Sequence, residues 1–133
     1  MTPTAWADLP NAKHIDRILD DLKKNPDNWS DARGAARNAT KNDARYAAWN
    51  AAWNAASDAA RNDARNAAWY AARADARADA RDAISALIAY DDCAYLLDEK
   101  PEYVQMLGLL GNQAALLLYP ACLALHKEVV YVN

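Results

Sequence analysis

Between residues 45 and 77 one place in every four is held by Arg45, Trp49, Trp53, Ser57, Arg61, Arg65, Trp69, Arg73 and Arg77. On a helix these indoles and guanidiniums are neighbours one turn apart, and together they suit a definite chemistry. Indole faces stack on purine rings, and guanidiniums grip phosphate through two parallel hydrogen bonds. The residues placed to contact such a ligand are Arg45, Trp49, Trp53, Arg61, Arg65, Trp69 and Arg73. The same row also fits a structural role, in which Arg–Trp pairs at i, i+4 staple a helix surface and Trp packs beneath adjacent helices. Trp49 and Trp53 share a face, but Trp69 lies sixteen residues beyond Trp53, about 160° round an ideal helix. All three meet only where the helix breaks or a second subunit intervenes.

No other residues assemble a reaction centre. His14 and His126 are the two histidines, far apart and with neither HxxxH nor HExxH spacing, so no metal site is expected. Asp91-Asp92 beside Cys93 is the densest acid cluster. Adjacent helical residues point about 100° apart, so the two cannot share one proton unaided; one Asp caps or pairs with a repeat arginine and the other is solvated. Three glycines in 133 residues provide no phosphate-cradling loop. The sequence therefore reads as a non-enzyme without a cofactor.

What must position the row is a repeat. From Ala32 to Ala83 the chain divides into the tetrads ARGA, ARNA, TKND, ARYA, AWNA, AWNA, ASDA, ARND, ARNA, AWYA, ARAD, ARAD and ARDA. A strand would put every Arg and Trp on one sheet face, with Ala and Asn as poor strand formers. A helix fits: the first and fourth places lie about 60° apart and form a smooth Ala face, while Arg/Trp and Asn/Tyr line the other side. Small residues let helices approach to about 8 Å. Four residues turn through about 400°, however, so the stripe drifts ~40° per tetrad and one straight helix would carry it right round itself. Breaks are expected at Thr40 to Asp43 and at Ser57-Asp58, both of which read as N-caps. This gives two or three repeat-region helices, the last running from about 58 into 84–97.

Flanking segments are more conventional. Residues 13–24 place Ile15, Ile18, Leu19 and Leu22 on one face of a helix. Asn25-Pro26-Asp27 stops it, and Ser30 reads as the N-cap of the next. Core mass concentrates after Ile84. Pro101 opens a short helix to about Leu110, Gly111 closes it, and a last helix runs from near Asn112 through a kink at Pro120 to about Lys127. Residues 106–125 approach membrane-span length, but Gly111-Asn112-Gln113 and Pro120 interrupt them, so they read as buried core with no membrane span. VVYVN at the end is a tail or an intermolecular contact.

The fold expected is all-α, a single-domain bundle of five or six helices: 1–31 an N-terminal helix and linker, 32–83 the tetrad repeat, 84–133 apolar C-terminal helices. Net charge is -3, divided as -2, +4 and -5 over residues 1–32, 33–81 and 82–133. The whole molecule does not suit long nucleic acid. Its basic middle is either neutralised by the acidic third or forms a localised anion site. Cys93 and Cys122, without CxxC spacing, read as buried free thiols. MTPTAWADLP carries no secretion signal, so the expected location is cytoplasmic.

Ala/Arg/Trp tetrads followed by AYDDCAYLL and ALLLYPACLAL resemble a diffuse group of phage and bacterial proteins described as immunity proteins, over roughly residues 32–127. The resemblance implies a small helical binder in conflict biology, located in the host cytoplasm if phage-encoded. A homodimer or larger symmetric assembly is expected, because the smooth Ala faces and the Trp-rich row offer more contact surface than one small domain can use. Two functions are expected from the residues and the resemblance together. One is sequestration of an anionic, base-containing small molecule, a nucleotide-like signal, in an Arg/Trp-lined pocket that such a homo-oligomer could complete between subunits. The other is a helical protein-interaction module that neutralises a toxin or host defence protein by covering its surface.

Overall fold

The computed structural model describes residues 6–39, 43–61, 65, 68–69 and 78–126. In chain order these form α1 (Ala12–Lys24), α2 (Pro26–Ala39), α3 (Asp43–Arg61), α4 (Ala78–Ala89), a 3-10 helix (Ala94–Asp98), α5 (Pro101–Leu109) and α6 (Gln113–Leu125). The protein is all-α, with no strand among the described residues.

Helix α6 carries no charged residue and is apolar on every side, and a helix of that kind is stable only when surrounded. It lies at the centre. Helices α2, α3, α4 and α5 and the 3-10 helix all pack against it, burying Leu117, Leu118, Pro120, Ala121 and Cys122 among others. Asn112 caps its start, the side-chain Oδ1 accepting from the Ala115 N–H at 3.0 Å. Gly108 lets α5 come close: a Cβ there would stand 2.9 Å from Leu116 Cδ2. Gly111, with φ of 105°, makes the left-handed turn between the two helices. Among the described residues no helix is long and apolar enough to cross a membrane. VVYVN lies outside the described residues.

Helix α1 buries Ile15, Ile18 and Leu22 against α2 and α4. Ser30 does not cap α2. The helix begins at Pro26 and Ser30 sits inside it, because proline at the first position needs no N–H and arrives with helical φ already set. One turn in, Trp29 is fully buried and its indole N–H donates to Asp21 Oδ2 at 2.7 Å.

Helix α2 is described to Ala39 and α3 from Asp43; Thr40 to Asn42, where a break is expected, lie outside the described residues. Ser57-Asp58 does not break the chain and lies within α3. The buried stripe of α3 is Ala52, Ala56 and Ala60, each with no exposed surface. It is narrower than the Ala pattern implies: Ala47, Ala48 and Ala51 face solvent, since the drift of ~40° per tetrad turns earlier members out of a contact centred on Ala56. Trp49 and Trp53 are half-buried and pack against the core beside the Ala stripe.

Helix α4 buries every residue from Ala83 to Ile88, yet it stops at Ala89 instead of continuing to 97. Its terminal carbonyls are taken by side chains from elsewhere. Asn11, itself buried, donates from Nδ2 to Leu87 O at 3.0 Å and to Tyr90 O at 2.8 Å, and the Cys93 thiol reaches Tyr90 O at 3.4 Å. These bonds satisfy groups that a helix end leaves open.

Candidate functional site

Tyr46, Trp49 and Trp53 occupy i, i+3 and i+7 of α3 and so share one face. Their rings form a ladder. Tyr46 and Trp49 stack with centroids 6.4 Å apart, and Trp49 and Trp53 stack at 6.2 Å with planes within 14°. Trp53 then meets Trp69 at 5.4 Å, tilted by 48°. Such spacings are within the favourable range for aromatic pairs. Helix α3 ends at Arg61, so Trp69 is not carried round the same axis, and it reaches Trp53 within one chain. No second subunit is needed for that contact. The ladder runs from surface to core: Tyr46 is 56% exposed and Trp69 1%.

The indole N–H of Trp49 donates to the carboxylate of Asp82 on α4, beside Arg33 of α2 and Arg81. Burial pushes the Asp82 carboxyl up to about 6, outweighing the opposite effects of the Trp49 hydrogen bond and the two guanidiniums. Asp82 is thus a carboxylate near half-protonation just below neutral pH, in contact with the middle of the ladder.

Arg65 serves a different purpose from the one its place in the row implies. Its Nη1 donates to Ile88 O at 2.9 Å and Ala89 O at 3.4 Å, while Nη2 donates to Asp91 Oδ2 and Nη1 pairs with Oδ1, both at 2.7 Å. The guanidinium therefore closes the C-terminus of α4, where the carbonyl dipoles favour a cation. Asp91 is the acid that pairs with a repeat arginine, and Asp92 faces solvent.

Of the seven residues singled out in the row, Trp49, Trp53 and Trp69 come together and Arg65 turns to the end of α4. The side chains of Arg45 and Arg61 lie outside the described residues, as does Arg73. Two members of the arrangement were not anticipated. Tyr46 was legible, since it stands three residues before Trp49. Asp82 carried no local signal, because what selects it is a contact between helices far apart in sequence.

A cavity of about 380 Å³ opens elsewhere, between Tyr90–Leu96 and the turn into α6. Cys93 lies in its wall, with the thiol pushed up to about 12, chiefly by burial. Cys122 is raised to about 11, again chiefly by burial. Both thiols are free and stay protonated at neutral pH, so neither is an activated nucleophile. Among the described residues no three His, Cys, Asp or Glu side chains converge to hold a metal ion. Comparison of the chain with models of protein families, with curated proteins and with solved structures gives no match in any of the three.

Proposed function

We propose that the protein is a non-catalytic binding protein of the immunity or counter-defence type, which neutralises a protein partner by covering part of its surface with the Tyr46–Trp49 end of the aromatic ladder. The observation that carries this reading is the gradient of exposure along the stack: an anchored indole, Trp69, supports rings that end in an open tyrosine. Tyr and Trp are the residues on which interface energy concentrates, and rings already stacked lose little freedom on binding. Beside them on the same helix Ala47, Ala48 and Ala51 are exposed.

Sequestration of a base-containing anion needs guanidiniums directed at phosphate. Arg65, the one of the four arginines whose side chain is described, is directed at two carbonyls and Asp91, which supports the protein-partner reading. The test is Tyr46→Ala with Trp49→Ala in the full chain, assayed in parallel for capture of a protein partner and for calorimetric binding of a nucleotide panel. Loss of capture with unchanged helical circular dichroism is expected, together with no nucleotide binding by the parent. Nucleotide binding that Trp49→Ala abolishes would overturn the proposal in favour of sequestration. Light scattering behind a sizing column adds a further distinction: a mass well above 14.6 kDa would identify a second copy as the partner.

A further inference from the structure

We propose that the cavity between Tyr90–Leu96 and the start of α6 binds an organic cation, an ammonium or guanidinium group carried on a short apolar stem. Its volume, about 380 Å³, lies within the range of small-ligand sites. Its walls combine two tyrosines, Tyr90 and Tyr95, with the carboxylate-bearing Asp92, the amide of Gln113 and the apolar Leu96 and Ala114. No Lys or Arg lines it among the described residues. Two tyrosine rings and a carboxylate are within reach of a cation there, and Leu96 is within reach of its stem.

The charge arrangement selects the sign of the ligand. Asp91 and Asp92 are adjacent, but their situations differ. Asp91 is matched by both guanidinium nitrogens of Arg65, and Arg65 is held in place by the carbonyls of Ile88 and Ala89. Asp92 is exposed at the cavity, while its acidic neighbours Asp91 and Asp98 pair with Arg65 and Arg17. Its lining residues all come from 82–133, a stretch with seven acids against two lysines, and that sign of charge favours cations over anions.

The test is a two-dimensional amide NMR titration of the full chain with n-butylammonium chloride and, separately, n-butylguanidinium chloride. n-Butanol, sodium butyrate and sodium chloride at matched ionic strength are the comparisons. Saturable shifts confined to residues 90–96 and 111–114 are expected from the two cations and not from butanol, butyrate or sodium chloride. Asp92→Asn, at an exposed position, should weaken butylammonium by about fivefold. Tyr95→Ala should weaken it without changing the melting temperature. Equal shifts from butanol, saturable binding of butyrate, shifts spread over every surface acid, or an unchanged affinity in Asp92→Asn would each overturn the proposal.

Discussion

Replacing Asp82 with Asn tests the electrostatics beneath the ladder. The carboxyl is raised from 3.8 in the unfolded chain to about 6, with burial the largest cause. Between those values the folded protein holds a proton that the unfolded chain has released, so this group's contribution to stability falls as pH rises from about 4 to about 6 and stays low above that. At about 1.4 kcal/mol per tenfold change in proton affinity, the rise from 3.8 to about 6 corresponds to roughly 3 kcal/mol; solvent reaching the half-buried side chain reduces this to about 2–3 kcal/mol. Asn accepts the Trp49 hydrogen bond through its amide oxygen without carrying a charge, which removes the pH-dependent cost. The melting temperature of Asp82→Asn minus that of the parent should be close to zero at pH 4 and on the order of 10 °C at pH 8. Other groups titrate alike in both proteins and cancel in the difference. Tryptophan emission of the parent should also titrate with a midpoint near 6, and that of the variant should not. A difference that stays constant between pH 4 and pH 8, or that shrinks as pH rises, would refute the reasoning.

Two further substitutions address the packing. Arg65→Met keeps the stem but strips the end of α4 of its donors, and urea unfolding should show a loss of roughly 2–3 kcal/mol; a loss below about 0.5 kcal/mol would show that the guanidinium does not close the helix. Ala56→Leu should cost about 1–3 kcal/mol by overpacking, whereas Ala48→Leu, at an exposed position, should stay within about 0.5 kcal/mol of the parent. Equal costs at the two positions would mean that the Ala stripe of α3 has been assigned to the wrong face.

The elements that sequence periodicity specifies are the ones it located. Ile15, Ile18 and Leu22 defined α1, and the chargeless stretch before Leu125 defined a buried helix. What escaped was decided by residues distant in sequence. Nothing in LIAYDDCAYLL marks a stop at Ala89, because the stop comes from Asn11 and Arg65, 79 and 24 positions away from the carbonyls of Tyr90 and Ala89 that they reach. Ser30 was a valid local signal, but Pro26 stood upstream with a stronger one. The shared face of Trp49 and Trp53 was legible and the capping role of Arg65 was not, since indole spacing is a property of one helix while the target of a guanidinium depends on which helix end lies nearby.

The position of α6 bears on how the chain is made. The helix on which α2, α3, α4 and α5 converge is C-terminal to all of them, so they emerge from the ribosome before the surface they need exists. Contacts between α2 and α6 span some eighty residues, and closing such loops is slow compared with forming a helix. In the interval the nascent segments depend on their own composition to avoid association. A repeat of Ala, Asn and Arg is suited to that wait, because it forms helix readily yet exposes little apolar area for neighbouring chains to seize. Cooperative collapse then begins when Leu117 and Leu118 become available, and a translation stall ahead of residue 113 would leave helices without a bundle.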